Sequence, residues 1–290
     1  IRDRIEATER RRQAHEAIVA LLEAESALRP VVLIFEDLHA LDAETLDFLE
    51  RLLPLVTGLR IGVLLNARPE FQEAWPGTHV SRVRLDRLDE TAAFQLLDDA
   101  LGNDASLVEI KRTLATRTDG NPLFLEETIA SLVESGVVSG QRGHYVLARE
   151  DIDLETPPSV QAVLAARIDR LDPDRKRLLQ TAAIIGKNFE LGLLERVYAE
   201  EDGPLYEGLA HLQTAEFLYE TALYPRRAYS FKHALTQEVA YGSMVTSRRT
   251  ELHAKVVAAL ETLPEDERVA ESERLARHAH LAQLWPKARD

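Results

Sequence analysis

The chain has 290 residues, of which 45% are hydrophobic and 29% charged, an ordinary globular composition with room for about two domains. Its 49 acidic residues outnumber its 35 basic ones, and the resulting net charge of −14 argues against broad binding to nucleic acids or anionic membranes. The chain has no cysteine, which excludes disulfides, thiolate zinc sites and cysteine nucleophiles.

Membrane and targeting segments are not evident in the sequence. The longest uninterrupted apolar run, Ala17 to Leu22, is too short to span a bilayer, and no signal peptide opens the chain. We therefore expect a soluble, cytoplasmic protein. The chain begins with Ile1 and its only methionine is Met244, so we expect a fragment or a processed product.

The first part of the chain predicts an α/β unit. Apolar residues at helical spacing favour a helix over Ile1–Leu28. The apolar runs Val31–Phe35 and Ile61–Asn66 predict strands buried on both faces, with a helix over Asp42–Val56 between them. A third strand is predicted over His79–Leu85. This order indicates parallel strands with covering helices.

An all-α region is predicted from Asp89 onward. Helices are predicted over Glu90–Leu101, Ser106–Thr118, Leu123–Ser135, Ser159–Leu171, Asp174–Ile185, Leu191–Ala199 and Leu205–Gln213. A hairpin is predicted over Val137–Leu147, and a linker that ends in two prolines over Arg149–Pro158.

The last part of the chain predicts two short strands and more helices. The strands, Phe217–Thr221 and Ala228–Phe231, follow a group of helices, the pattern of a winged helix. From Thr236 to Ala288 the pattern is helical, with a break near Leu263-Pro264.

Two adjacent carboxylates, Glu36 and Asp37, follow the first predicted strand. Open α/β sheets bind their ligands at the carboxyl ends of strands. A nucleotide site needs one acid to hold Mg²⁺ through water and another to orient the attacking water. The alternative is that both acids simply begin the loop that leads to the helix from Asp42.

Three further segments bear on nucleotide chemistry. Arg68, just after the second predicted strand, is either a sensor of the γ-phosphate or a surface arginine. Asn121-Pro122 is typical of a helix start and by itself indicates nothing more. A phosphate-binding G-x-x-x-x-G-K-[ST] loop is absent, and Gly186-Lys187 lies in a helical region without the rest of that pattern.

Taken in order, five segments resemble the signal-transduction ATPases with numerous domains (STAND), a family of AAA-related switches. The likeness is to the subgroup attached to bacterial class III adenylyl cyclases, protein kinases and LuxR-type regulators. Glu36–Asp42 resembles the Walker B segment of that subgroup, and Ala67–Phe71 resembles its sensor 1. Gly120–Pro122 is similar to the G-x-P motif. Pro157–Leu171 is similar to the opening of the winged helix, and Phe231–Tyr241 is similar to the segment that follows the wing.

The resemblance implies a role for five residues. Asp37 and Glu36 would hold Mg²⁺ through water molecules and orient the attacking water. Arg68 would contact the γ-phosphate. Pro122 would pack against the adenine ring, and His233 would contact the β-phosphate of ADP in a closed state.

The resemblance also implies a domain order, in which an α/β part is followed by an all-α part. Residues 1–86 would be the C-terminal part of a P-loop-type core with a parallel sheet, 87–153 a helical lid, 154–245 a winged helix, and 246–290 the start of a helical-repeat array. Arg274–Lys287 is similar to the first helix of a tetratricopeptide-type array. The Walker A loop would precede the first residue, so we do not expect these 290 residues alone to bind ATP measurably.

The implied function is an ATP/ADP-controlled regulatory switch. A protein partner on the C-terminal array would bias it, and an attached output domain such as a cyclase or kinase would respond. One alternative is a transcription regulator whose winged helix binds DNA, although Leu205–Phe217 carries Glu207 and Glu216 and neither Lys nor Arg. The other is a protein-interaction scaffold that ignores nucleotide.

Overall fold

The structure, a computed structural model, describes residues 2–69, 71, 75, 80–148, 158–199 and 204–289. For residues 2–8 and 288–289 the backbone alone is described. The chain forms two compact units, Ile1–Leu85 and Asp86–Asp290. The predicted linker lies, up to Pro157, outside the described residues.

The first unit contains a long helix and one strand–helix–strand unit. Its elements are α1 (Arg2–Leu28), β1 (Val31–Phe35), α2 (Ala43–Leu55) and β2 (Ile61–Leu65). The strands pair in parallel, with Val31 opposite Ile61 and Phe35 opposite Leu65. The predicted parallel pair is therefore confirmed, and both strands end at the same edge of the sheet.

The prediction that these strands are buried on both faces is wrong for the described residues. Exposure alternates along β1, where Val32 and Ile34 are 68% and 61% exposed, and Leu64 of β2 is 60% exposed. Side chains of a strand point alternately to opposite faces, so only one face of the sheet is covered in the described part of the chain. The other face is an open apolar surface made of Val32, Ile34 and Leu64.

The third predicted strand is not present in the described residues. Residues 80–85 have no regular secondary structure, and Val83 and Leu85 are exposed. A strand is stabilised by a paired neighbour, and the pattern of apolar residues cannot show whether that neighbour is available. Residue 79, where the strand was predicted to begin, lies outside the described residues.

The second unit begins with three helices and a hairpin, as predicted. These are α3 (Glu90–Leu101), α4 (Val108–Arg117), α5 (Pro122–Glu134), β3 (Val138–Gln141) and β4 (His144–Leu147). Asp89 and Asn121 cap α3 and α5 by accepting hydrogen bonds from the backbone amides of Ala92 and Phe124. The helices and hairpin share one apolar core, which includes Leu97.

The middle of the second unit alternates helices with a small antiparallel sheet. Its elements are α6 (Val160–Arg170), α7 (Pro173–Ile185), β5 (Asn188–Glu190), α8 (Leu191–Tyr198), α9 (Leu205–Thr214), β6 (Leu218–Ala222) and β7 (Ala228–Phe231). The strands lie in the order β5-β7-β6. β5 was not predicted, since a three-residue strand with a single buried side chain, Phe189, shows no alternation in sequence.

The C-terminal part is helical, as predicted. It consists of α10 (Ala234–Gly242), α11 (Thr246–Glu261), α12 (Glu265–Ala270), α13 (Ser272–Leu281) and α14 (Trp285–Arg289). The break predicted near Leu263-Pro264 is confirmed. The single helix expected over Arg274–Lys287 is divided into α13 and α14, because the backbone of Gln283 adopts a positive φ of 60° that no helix continues. None of the described helices combines the length and the apolar character needed to cross a bilayer.

Gly120, two residues before α5, lies against the backbone of the segment that precedes α3. Its amide oxygen accepts a 2.8 Å hydrogen bond from the Leu88 amide, and its φ is +64°. A Cβ at this position would lie 2.0 Å from the Leu88 carbonyl oxygen. Gly136, just after α5, has a similar φ of +68° but open space where a Cβ would be.

We predict that Gly120→Ala destabilises the chain more than Gly136→Ala. Both variants force alanine into the left-handed region, at a cost of about 1–2 kcal/mol each, but only Gly120→Ala also pushes a backbone carbonyl away, at a further cost of about 1–3 kcal/mol. Urea unfolding of the two variants and the parent chain measures the difference. Equal unfolding free energies for the two variants would show that the Leu88 contact is not tight.

Candidate functional site

The carboxyl ends of β1 and β2 are joined through Asn66, the residue that follows β2. The Asn66 amide donates to the Phe35 carbonyl oxygen (3.0 Å), and the Asn66 carbonyl oxygen accepts from the Leu38 amide (3.0 Å). The side-chain Oδ1 of Asn66 accepts a third hydrogen bond, from the Asp37 amide (2.7 Å). Asn66 therefore fixes the backbone on both sides of Glu36 and Asp37.

The backbone at Asp37 turns sharply out of the strand. Its φ and ψ are 56° and 48°, a left-handed conformation that aspartate tolerates better than most residues. The next residue, Leu38, is buried and begins a 3₁₀ turn that ends at Ala40. A buried leucine on one side and Asn66 on the other hold the turn, while the Glu36 and Asp37 side chains remain exposed.

Three of the five predicted site residues follow the carboxyl ends of β1 and β2. Glu36 and Asp37 follow β1, and Arg68 lies exposed two residues beyond Asn66, after β2. Two adjacent exposed carboxylates next to the Asn66 amide fit a hydrated Mg²⁺, since Mg²⁺ keeps several waters and takes only one or two protein carboxylates. In the described residues no group of three or more His, Asp or Glu is placed to enclose a metal ion.

The other two predicted site residues, Pro122 and His233, lie at the starts of two helices of the second unit that both pack on α6. Pro122 is the exposed first residue of α5, and His233 immediately precedes α10. The residues next to them enter one small apolar cluster, which contains Phe124, Val160, Val163, Leu164, Leu123, Leu235 and Val239. This cluster joins the starts of α5 and α10 to α6.

His233 has a buried ring nitrogen, Nε2, that has no hydrogen-bond partner among the described residues. The ring does not cap α10, although the residue occupies the N-cap position. Burial lowers the pKa of His233, while the negative charge of Glu127 acts in the opposite direction. The ring is therefore neutral near pH 7, and a buried nitrogen without a partner marks a place that a ligand can satisfy.

A buried arginine, paired with the same Glu127 whose charge acts on His233, joins three parts of the second unit. Arg167 of α6 is 2% exposed and forms ion pairs with Glu127 and Glu134 of α5. Its Nη2 also donates to the Ala215 carbonyl oxygen (2.8 Å), and its guanidinium lies 4.6 Å from the centre of the Phe217 ring. We call this group, Arg167 with Glu127, Glu134, Ala215 and Phe217, the Arg167 junction.

A second ion pair supports the same region from the surface. Lys232 pairs with Glu216 in the turn before β6 (2.5 Å) and lies 3.7 Å from Glu126 of α5. The hydrogen bond from Lys232 lowers the pKa of Glu216, although partial burial acts against it. The charges of Glu127 in the interior and of Lys232 at the surface both act on the pKa of His233.

The sequence did not reveal the Arg167 junction. The signal that was available is the position of Arg167 between Leu164 and Ile168, both fully buried, on the apolar face of a predicted helix. An arginine on such a face needs carboxylate partners, because an unpaired charge is rarely buried. Which carboxylates supply them depends on tertiary packing.

No protein-family profile matches the chain. It is 24% identical over 282 residues to an uncharacterised protein of Rhizobium meliloti (strain 1021), an alignment that covers 96% of this chain and 27% of that protein. Its fold is similar to the crystal structure of a Signal Transduction ATPase with Numerous Domains (STAND) protein with a tetratricopeptide repeat sensor, from Pyrococcus horikoshii. The TM-score is 0.58 with 15% identity, and the match covers 92% of this chain and 35% of that one.

The likeness to the Pyrococcus horikoshii structure extends over nearly the whole chain, so both described units contribute to a fold of the STAND type. At 15% identity it establishes the fold alone. The chain spans about a quarter of the Rhizobium meliloti protein and about a third of the solved structure.

Proposed function

We propose that the chain is part of an ATP/ADP-dependent regulatory switch of the STAND type, which uses Mg²⁺ and controls an attached output domain. The observation that carries this proposal is the edge of the β1–β2 sheet, where Asn66 holds Glu36 and Asp37 at the carboxyl ends of parallel strands. This is the position at which open α/β sheets bind nucleotides. The fold likeness to a STAND ATPase supports the same assignment.

In this proposal Asp37 and Glu36 hold the hydrated Mg²⁺ and orient water, and Arg68 contacts the γ-phosphate. Mg²⁺ would supply charge neutralisation on the phosphates. The protein's own contribution is to fix the two carboxylates: the hydrogen bond from the Asp37 amide to Asn66 and the burial of Leu38 keep the turn in one conformation.

The exposed apolar face of the β1–β2 sheet is a further argument for this proposal, because it suggests that these strands belong to a larger core completed by other parts of the polypeptide. Parallel sheets are almost always covered on both faces, whereas Val32, Ile34 and Leu64 are exposed here. We propose that an upstream part of the polypeptide adds further strands at the edge of the sheet, and that the helix after its Walker A loop covers this face.

We further propose that the second unit contains a helical lid and a winged helix that close over the nucleotide. The sequence of elements α7-β5-α8-α9-β6-β7 and the strand order β5-β7-β6 are typical of a winged helix. Pro122 would pack against adenine, and His233 would bind the β-phosphate of ADP through its unpartnered nitrogen. The helices from residue 246 onward would begin an array that a protein partner contacts.

DNA binding by the winged helix is disfavoured by charge. The segment from Leu205 to Phe217 has no lysine or arginine, and its Glu216 is paired with Lys232. Phosphate contacts need cations on the surface that faces the nucleic acid. A scaffold that ignores nucleotide is the remaining alternative.

We predict that Asp37→Asn and Glu36→Gln each lower ATP turnover about 100-fold in a chain extended by its upstream residues, since each removes a group that acts on Mg²⁺ or water. The fold is expected to persist because both side chains are exposed. Asp47→Asn, an exposed carboxylate on α2 that pairs with Arg51, is the matched control. Steady-state phosphate release measures the effect, and unchanged turnover in both variants would contradict the Walker B assignment.

We predict that His233→Ala weakens ADP binding about 10- to 100-fold in the same extended chain, the value of one hydrogen bond to a charged group. ATP turnover is expected to persist or rise, because the contact belongs to the closed, ADP-bound state. His280→Ala, an exposed histidine on α13, is the control. Calorimetric ADP and ATP affinities, with melting temperatures, separate the alternatives: a lower melting temperature with an unchanged ADP-to-ATP preference would make His233 structural.

A further inference from the structure

Two buried histidines face each other between α11 and α13. Nδ1 of His253 lies 2.8 Å from Nδ1 of His278, and the two residues are 2% and 4% exposed. The other nitrogen of His253, Nε2, lies 3.2 Å from the Tyr241 hydroxyl of α10. The three rings therefore form a chain of hydrogen bonds that joins α10, α11 and α13.

Arginines surround this pair. Arg249 of α11 and Arg274 and Arg277 of α13 all place positive charge near the two rings. Arg249 also lies over the Tyr241 ring, 5.1 Å from its centre. Three cations make the place unsuitable for a divalent metal, so the pair is better explained by hydrogen bonding than by metal ligation.

The elements packed on α11 and α13 also carry charged groups, among them Glu267 of α12, which pairs with Arg226 (2.7 Å). Glu271, before α13, pairs with Arg274 (3.3 Å), and the Ile185 carbonyl oxygen of α7 lies 3.5 Å from the same guanidinium. Toward α7 and α8, α11 presents apolar side chains such as Leu252 and Val256. On α14, Lys287 pairs with Glu261 at the far end of α11.

The hydrogen bond between the His253 and His278 rings depends on how many protons the two rings carry. A hydrogen bond between two Nδ1 atoms holds one proton, which one ring donates and the other accepts. A first additional proton places a charge in a buried site beside arginines, which is unfavourable. A second additional proton leaves both facing Nδ1 atoms protonated. The hydrogen bond between the rings can then no longer form, because neither nitrogen can accept.

We propose that the His253–His278 pair is a proton-operated latch, which holds α13 against α11 while both rings are neutral and releases α13 when they are protonated. This inference concerns regulation and does not depend on nucleotide binding. Release would also free α14, whose position follows α13: the Leu284 amide donates to the Ala279 carbonyl oxygen (2.8 Å), and the Trp285 ring lies against His280.

Burial sets the pH range of the latch. Burial, with the nearby arginines, lowers the pKa of His253 from 6.5 to about 4. Burial, with the charges of His253 and the arginines, lowers the pKa of His278 from 6.5 to about 3. Because the docked pKa values lie below the undocked ones, docking is strongest above pH 6.5 and weakens as pH falls from 6.5 toward 4. In that range, each histidine changes the equilibrium constant for docking of α13 by up to about tenfold per pH unit.

Hydrogen exchange of the 290-residue chain tests the latch directly. We expect the protection factors of α13, corrected for intrinsic exchange at each pH, to fall at least tenfold between pH 7.5 and pH 5.0. Those of α7, which lies in the large apolar core, are expected to change much less. Equal protection of α13 at both pH values, or a parallel loss in α7 and α13, would overturn the proposal.

Substitutions assign the effect to the pair. In His253→Gln/His278→Gln, neither position titrates, so the pH dependence of α13 protection should disappear whatever its absolute value. His280→Gln removes an exposed histidine from the same helix and should retain the full dependence. NMR titration of the unmodified chain gives a second readout that needs no variant: both rings should titrate below pH 5, and a value near 6.5 for both would refute the latch.

Discussion

The arrangement of the second unit depends on how one buried guanidinium is satisfied. Arg167 meets two carboxylates of α5, a backbone carbonyl in the turn before β6 and the face of Phe217. Burial alone would lower the pKa of Arg167, but Glu134 and Glu127 outweigh it and raise the pKa, so the charge is retained. A buried charge must keep such partners, since losing one leaves an uncompensated ion. α5, α6 and β6 are therefore held to one another by a directional contact as well as by apolar packing.

That contact also bears on the proposed nucleotide contacts of the second unit. Pro122 begins the helix that supplies Glu127, and His233 lies close enough to Glu127 to be influenced by its charge. One ligand that touches both Pro122 and His233 would need α5 and the start of α10 to keep a fixed relation, and the Arg167 junction with the adjoining apolar cluster provides it. In the first unit, Asn66 fixes the backbone that carries Glu36 and Asp37 through three hydrogen bonds.

Much of the fold could be predicted from local pattern, because apolar spacing, capping residues and prolines act over a few residues. The start of α5 after Asn121 and both strands of the first unit are examples. Features that depend on distant partners were missed or wrong: three-residue β5, the segment 80–85, which forms no strand, and the open face around Ile34. For the candidate site, the sequence suggested Glu36, Asp37, Arg68, Pro122 and His233, and these assignments stay predictions. It gave no sign that Asn66 holds Asp37, that Nε2 of His233 lacks a partner or that His253 meets His278, since each depends on residues that are distant in sequence.

The central claim, that the Arg167 junction couples α5 to α6, is tested most directly by a double-mutant cycle on Arg167 and Glu127. Arg167→Leu should cost about 3–5 kcal/mol, because it leaves the buried Glu127 carboxylate without its cation. Glu127→Leu should cost about 2–3 kcal/mol, because Arg167 then keeps Glu134 as its one carboxylate partner. The double variant removes both charges, so its cost should fall short of the sum by at least about 2 kcal/mol. Unfolding free energies from urea titrations give the coupling energy. Additive costs, within about 0.5 kcal/mol, would contradict the claim.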